Sequence, residues 1–444
     1  MSPVRKRTAS IQLDPPKIIS NGWWSIYDSI AATGVALIKF GGLFHKKLGR
    51  AVAGRKGGVN RWNIEFADTR PAILIHAASR GEFESIIPLI DGLVKQNKCR
   101  IAVSYSSPSV EKTVQDFPGL WTSGYLPFDQ MGEQLRFLSR LNPALILVAK
   151  HDIWPNMIRA ATALRIPYIL INANFHSGTR RGLPFVKRFN RQFFGLIREI
   201  WTISDDDAAR ISPIFDRSDD LHVVGDTRYD RTISRAVVAR EKFAPLKVAL
   251  GIGPVIVAGS TWPPEEQIVI PAFASFHNQN PTAKLVIAPH ELGQASLERC
   301  NKAILENGLK LKLFSNWQGE PLTDEVLYID RMGVLADIYS VGWAAVVGGG
   351  FGVGVHSVLE PAAHGLPVAY GPNHHVSHEA GLLMKSGGGS LLTDAASLSA
   401  LWQSWIETPA TYHLAVEAAS EVVSSNSGAT NRLMKRLEPY LRQK

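Results

Sequence analysis

From about residue 61 the chain alternates short, continuous apolar runs with longer amphipathic stretches. The runs are Ala72 to His76, IAVSYSS (101–107), the extended GYLPFD (124–129), ALILVAK (144–150), IPYILINAN (166–174), EIWTIS (199–204) and HVVGD (222–226). Apolar strands without polar alternation, separated by helical segments, predict a parallel sheet covered on both faces. Residues 231–253 read as helix and linker. The alternation then restarts with PVIVAGS (254–260), KLVIAPH (284–290), VLYID (326–330), AAVVGG (344–349) and LPVAYG (366–371), and the chain is polar or helical from about Asp394. The pattern predicts two similar α/β halves: a segment 1–60, a Rossmann-like domain 61–232, a linker 233–253, a second Rossmann-like domain 254–415 and a C-terminal helix 416–444. Ligands of such sheets bind beyond the carboxyl ends of the strands.

The first 60 residues have a different pattern. Trp23, Trp24 and Tyr27 precede an apolar run from Ile30 to Ile38, and Lys39, Lys46, Lys47 and Arg50 follow. The run is about half the roughly 20 apolar residues a spanning helix needs. It lies too deep in the chain for a cleaved signal. An interfacial helix is expected, with aromatics at the headgroup level and cations on phosphates; the alternative is an amphipathic helix packed on its own domain. Charge sharpens this picture. Residues 1–70 hold twelve Lys/Arg and four Asp/Glu, +8 of the chain's formal +9, so the remaining body is near neutral. This points to a local anionic partner, an anionic membrane surface, rather than to nucleic acid. The basic aromatic stretch Arg180 to Phe194 could serve the same surface. At 444 residues with 45% hydrophobic and 20% charged residues, the chain is globular. Its two cysteines exclude a disulfide scaffold and fit a reducing compartment.

Four constellations could carry chemistry. His76-Ala-Ala-Ser-Arg-Gly-Glu82 joins a strand end to a helix start. Glu82 there can accept a proton from an attacking hydroxyl, or merely complement the helix N-terminus. Lys150-His151-Asp152-Ile153-Trp154-Pro155-Asn156 also follows a strand; Lys150 and Asp152 can steer an anionic substrate or pair with one another. GDTRYD (225–230) offers Arg228, a guanidinium suited to carboxylate or phosphate. The Gly-rich run Gly348 to Gly354 leads into Ser357-Val358-Leu359-Glu360-Pro361. Its backbone N–H groups, at Gly349 and Gly350 among others, can approach a phosphate, and Glu360 can accept hydrogen bonds from ribose hydroxyls. The spacing fits neither a P-loop nor a dinucleotide fingerprint. Pro289-His290 ends the strand 284–290, where His290 can touch phosphate, and Met332-Gly333-Val334 follows the strand ending at Asp330, where its backbone can contact a base. Asp205 to Asp207 read as a capped helix start, and His374, His375 and His378 lack the company a zinc site requires.

In this order, HAASRGE (76–82), YLPFD (125–129), WPN (154–156), INAN (171–174), GDTRYD (225–230), AGSTW (258–262), IAPH (287–290), MGVLADIY (332–339) and VGGGFGVGVHSVLEPAAHGLPV (347–368), after LFHKKLGRAVAGRKG (43–57), resemble the 3-deoxy-D-manno-octulosonic acid (Kdo) transferases. The resemblance covers almost the whole chain. It implies a GT-B fold, two Rossmann-like domains facing a central cleft with a membrane-associating N-terminal helix. It also implies an inverting, metal-independent transfer of Kdo from CMP-Kdo to a lipid A precursor (lipid IVA), with no cofactor, at the cytoplasmic face of the cell inner membrane. On this reading Glu82 matches the general base, and Arg228 stands where the family usually has a charge-stabilising Lys. Lys150 to Asp152 replace the usual Glu-x-Glu. Pro289, His290, Met332, Gly333, Val334, Ser357, Val358, Leu359 and Glu360 match segments that bind CMP. The chain departs from the family at Lys150, Asp152, His290, Val334 and Ser357. A GT-B enzyme on another sugar nucleotide (a UDP-sugar transferase or epimerase), or a non-catalytic sugar-nucleotide or lipid-binding homologue, are the alternatives.

Overall fold

The computed structural model describes residues 19–65, 67–175, 184–375 and 377–441. They form two units: residues up to Thr227 together with those from Thr430, and Arg228–Ala429.

The first unit is built on a seven-stranded, wholly parallel sheet: β1 (Ala72–His76), β2 (Arg100–Tyr105), β3 (Thr122–Tyr125), β4 (Leu145–Ala149), β5 (Tyr168–Ala173), β6 (Glu199–Thr202) and β7 (Leu221–Val223), in the order β3-β2-β1-β4-β5-β6-β7. Every residue of β1, β4 and β5 is buried, as their unbroken apolar runs require of a sheet covered on both faces. In register, Leu74 pairs with Ala102 on one side and Ile146 on the other. The helix Arg80–Gln96 begins at Ser79, whose hydroxyl accepts the Glu82 N–H, and stops at Asn97 in the left-handed conformation. Its Phe83, Ile86, Ile90 and Leu93 recur at helical spacing and are buried against the sheet. The chain's last helix, Ala429–Leu441, packs on this unit rather than the second. Leu433, Leu437 and Leu441 enter the core formed by Ile73, Ile75 and Ile101, each contributing about 1.5–3 kcal/mol by burial.

The second unit repeats the plan with β8 (Val255–Thr261), β9 (Lys284–Pro289), β10 (Leu311–Leu313), β11 (Val326–Tyr328), β12 (Ala344–Val347), β13 (Val368–Tyr370) and β14 (Gly389–Leu391), in the order β10-β11-β9-β8-β12-β13-β14, all parallel. The two edge strands, β10 and β14, have no counterpart in the sequence pattern. Each is three residues long and part-exposed, so neither needs a continuous apolar run. The stretch 233–253, expected as linker, is mostly two helices, Thr227–Lys242 and Ala244–Leu250. Phe243, Leu246 and Leu250 are buried in the second unit's core beside Val257 and Val341.

At the N-terminus, Asn21 caps a helix, Gly22–Gly41, by accepting the Trp23 and Trp24 N–H groups, and a second helix, Lys46–Arg55, follows. The aromatics expected at a membrane headgroup level turn inward instead. Trp24 is 1% exposed, with the Arg159 guanidinium 4.6 Å from its ring centroid. The Tyr27 hydroxyl donates to Asp129 at 2.6 Å, and Phe189 packs against Trp23, Trp24 and Tyr27. Arg159 also pairs with Asp28 at 2.9 Å. Amphipathic rings favour such half-polar niches, where ring and polar tip are both satisfied. The opposite face, with Ile26, Ile30, Leu37 and Phe40, is exposed, as are Leu43 and Phe44 beyond it. Among the described residues no helix is long and apolar enough to cross a membrane. In the basic aromatic stretch, Phe193 and Phe194 are buried, while Arg180 and Arg181 lie outside the described residues.

Candidate functional site

Each sheet reverses its strand order at one point, where crevices form at the carboxyl ends of the strands. In the first unit this point lies between β1 and β4. β1 ends at His76 and β4 leads into Lys150 and Asp152. A side-chain bridge joins the two: His76 Nε2 lies 2.8 Å from Asp152 Oδ2, and His76 Nδ1 lies 2.9 Å from the Ser104 hydroxyl. Trp154 Nε1 donates to the same Asp152 oxygen at 3.0 Å. Burial pushes the Asp152 carboxyl up, but the hydrogen bond and charge of His76 and the Trp154 N–H outweigh it and leave the group below its ordinary value. The partners of Asp152 are therefore His76 and Trp154, not Lys150. Lys150 takes a left-handed backbone, φ 59°, and its N–H donates to Ile171 O.

Glu82 lies in the first turn of the helix after β1, half-buried. Its Oε2 accepts the Ala78 N–H at 2.7 Å. Burial raises its pKa above the usual carboxylate value. The Ala78 N–H pulls it back, the Asp152 charge adds to the rise, and His76 and Lys150 oppose it. A carboxylate with raised basicity next to charged groups is the environment a general base needs. Asn156, at the end of the same motif, is buried with a framework role: its backbone N–H and side chain bind Asp129, whose carboxylate also caps Met157. Burial, against the hydrogen bonds from Tyr27, Asn156 and Met157, pushes the Asp129 carboxyl up to about 6.

In the second unit the reversal lies between β8 and β12. β12 runs into the glycine turn, and Gly349 has φ +92°. A Cβ on Gly350 would sit 2.5 Å from the Gly371 nitrogen, so the backbones of two loops meet where only glycine fits. Two of the loop's amides already have a partner. Glu265, 1% exposed, accepts from Gly349 N–H at 2.9 Å and Phe351 N–H at 3.3 Å through Oε1, and from Trp262 N–H at 3.1 Å through Oε2. The expected phosphate cradle is thus pinned by an internal carboxylate, and the Gly349 amide serves the fold. Ser357 is exposed, while Val358 and Leu359 are buried with their side chains in the core, so those two can offer only backbone to a ligand. Glu360 is half-buried in the short helix Leu359–Ala363, near enough to Tyr339 to add to that phenol's burial-driven rise in pKa.

His290, directly after Pro289 at the end of β9, forms part of a three-ring stack. Its centroid is 4.6 Å from Trp262 and 4.4 Å from His356, with interplanar angles of 21° and 13°. Trp262 Nε1 donates to His356 Nε2 at 3.1 Å. Burial first, then the neighbouring His290, holds the His356 pKa below the ordinary histidine value. Met332 is 77% exposed, Gly333 has φ +82°, and Val334 packs on the unit's core. Arg228 is held by Glu379, with Nη2 to Oε1 at 2.6 Å. Burial raises the Glu379 carboxyl, but the guanidinium outweighs it and the net shift is downward. Among the described residues no group of three or more His, Cys, Asp or Glu is arranged to hold a metal ion.

Several contributors escaped the sequence reading. Glu265 had a legible cue: it stands three residues after Trp262, behind two prolines suited to a first helical turn, the position from which a Glu reaches back to the cap. His356 and Glu379 had none, since their roles depend on contacts with Trp262 and Arg228, 94 and 151 residues away.

Two parallel seven-stranded α/β units define the GT-B class of fold. Among solved structures, the UDP-GlcNAc 2-epimerase from Neisseria meningitidis superposes with a TM-score of 0.55 at 17% identity, covering 82% of this chain and 100% of that one. A UDP-N-acetylglucosamine 2-epimerase assignment from Listeria monocytogenes gives 0.58 at 13%, covering 85% and 98%. Residues 47–231 match the family described as 3-deoxy-D-manno-octulosonic-acid transferase (kdotransferase). The 3-deoxy-D-manno-octulosonic acid transferase of Aquifex aeolicus is 28% identical over 323 residues, 72% of this chain and 81% of the relative. That of Bordetella pertussis is 24% identical over 380 residues, 83% and 87%. The resemblance read from the motifs is borne out: by the family model and by its relatives the chain is similar to the Kdo transferases, a family of glycosyltransferases.

Proposed function

We propose that the protein transfers Kdo from CMP-Kdo to a lipid A precursor in lipopolysaccharide synthesis. The family match and the relatives' names support the reaction class; the observation that carries the mechanism is Glu82, a half-buried carboxylate of raised basicity at the strand-order reversal of the first unit. Glu82 takes the proton of the acceptor hydroxyl as its oxygen attacks the anomeric carbon of the donor. The new glycosidic bond forms as the bond to the CMP phosphate breaks, and CMP leaves with that electron pair, inverting the anomeric centre. Asp152, kept ionised by His76 and Trp154, maintains the local field that holds Glu82 basic. In the second unit Pro289, His290 and the Met332–Val334 backbone supply surfaces for the nucleotide. The Ser357 to Glu360 amides and the Glu360 carboxylate face phosphate and ribose. Arg228, oriented by Glu379, offsets charge on the departing phosphate.

The exposed apolar face of the helix Gly22–Gly41, with the basic residues that follow, supports attachment to the anionic cytoplasmic face of the inner membrane, where such an acceptor lies. The test is mass spectrometry of lipid products from purified protein, CMP-Kdo and lipid IVA. A product heavier by one or more Kdo residues, lost in Glu82→Gln, is expected. No product, or turnover by UDP-sugars instead, would remove the reading.

A further inference from the structure

In the second unit three rings meet beside the glycine turn. Trp262 follows β8, His290 follows β9, and His356 closes the turn, its backbone N–H on Gly348 O at 3.0 Å. The His290 ring lies flat on the other two, 4.6 Å from Trp262 and 4.4 Å from His356 between centroids. Those two are joined directly, Trp262 Nε1 to His356 Nε2 at 3.1 Å. An indole N–H can only donate, so His356 Nε2 accepts; that imidazole is therefore neutral and carries its proton on Nδ1. A Cβ on Gly349 would lie 3.0 Å from His356 Cδ2, so the ring also rests on the turn's own backbone. Glu265 ties the same parts together by taking the N–H groups of Trp262, Gly349 and Phe351. Of the three rings only His290 is exposed, and among the described residues its ring nitrogens have no hydrogen-bond partner.

A free histidine loses rotamer entropy when it settles on an anion, whereas a ring already stacked has given up that freedom beforehand. Stacking fixes the plane of the His290 ring, and the plane fixes where its N–H can point. We propose that His356 is a positioning residue for donor binding: its hydrogen bond to Trp262 holds the two-ring platform on which His290 lies, and so aims a His290 nitrogen at the phosphate of the donor. This role rests on the CMP-Kdo reading of the second unit. The platform needs a neutral His356, because a proton on Nε2 would face the indole N–H, donor against donor. The titratable groups on the elements around this ring are His290 after β9, Glu265 in the first turn of the helix Pro263–Gln279, His374 in the loop after β13 and Glu360 in the helix Leu359–Ala363. Burial, then the neighbouring His290, keeps the His356 pKa below the ordinary histidine value, so the platform persists through neutral pH and opens only in acid.

Calorimetry on the full chain, with CMP as the probe, tests it. At pH 7.5 His356→Ala should weaken CMP binding about tenfold. His356→Gln, whose Oε1 can take the indole N–H in place of Nε2 and does not titrate, should stay within about twofold of the parent. Between pH 7.5 and pH 5 the parent should lose about threefold or more in affinity relative to His356→Gln. Comparing the two proteins cancels the titration of the CMP phosphate itself, whose second pKa is about 6. His356→Ala binding CMP like the parent would overturn the proposal. So would His356→Gln as weak as His356→Ala, or a ratio of parent to His356→Gln that stays flat across that pH range. If His356→Ala does not fold, Trp262→Phe reads the same platform: it keeps a ring against His290 without the N–H, CMP should bind several-fold more weakly, and an unchanged affinity would count against the role. These outcomes remove His356 alone, whereas a parent that does not bind CMP removes the donor reading and this role with it.

Discussion

The two strand-order reversals are bridged in opposite ways. Between β1 and β4 the link runs side chain to side chain, His76 to Asp152, leaving Glu82 beside charges that set its basicity. Between β8 and β12 it runs side chain to backbone, from Glu265 to the amides of Gly349, Phe351 and Trp262. One sheet plan thus carries a titrating site in one unit and a stiffened glycine turn in the other. The lesson is that an acid at a strand end has to be read by its partners. Glu82 receives one backbone N–H and remains raised, whereas Glu265 receives three and is almost wholly buried.

The largest expected effect tests the titrating side. Glu82→Gln should lower kcat by roughly 10²–10⁴-fold with little change in thermal midpoint, measured by product formation from CMP-Kdo. Because the base must be ionised and its pKa is raised, kcat/KM of the parent should fall as pH drops through a value above the ordinary carboxylate range. A profile flat down to pH 4.5 would remove Glu82 as the base. Next, Glu265→Ala strands three amides and should cost about 3 kcal/mol or more in urea unfolding, while Glu265→Gln, which keeps one acceptor oxygen, should cost about 1–2 kcal/mol. Equal, negligible losses would mean the turn is held by something else.

A third comparison concerns Asp129, a buried acid outside both reversals. Its folded pKa of about 6 lies above the unfolded value, so the native state binds more protons across that interval. This group's contribution to stability should therefore be full below about pH 4 and decline by about 2–3 kcal/mol as pH rises to about 6. Unfolding free energies measured from pH 4 to 7 should lose that slope in Asp129→Asn. The smallest effect is expected at Arg228→Lys. It keeps the cation opposite Glu379 but not the guanidinium fork, so activity should change only several-fold, mainly in kcat. A loss as large as that of Glu82→Gln would make the fork itself essential.

Much of the framework was readable from the chain. The apolar runs at 72–76, 145–149 and 255–261 became central strands because burial on both faces favours apolar residues along most of their length. Glu82 and the 348–360 turn were found because a strand end and a helix start bracket them locally. The edge strands β10 and β14 left no mark, since three part-exposed residues need no pattern. Trp23, Trp24 and Tyr27 looked the same in sequence whether they faced lipid or Phe189 and Asp129, because amphipathic rings satisfy either setting.

Local order and short-range spacing specified the strands, the helix starts, the glycine turn and the position of the acid, since each depends on residues within a few places of one another. Folding alone decided which charges meet. Asp152 binds His76, 76 positions earlier, rather than the nearby Lys150, Glu265 reaches Gly349 across 84 positions, and Arg228 finds Glu379 across 151. Electrostatic and hydrogen-bond energies fall steeply with distance and depend on burial, and neither quantity exists until the sheets have brought distant segments together.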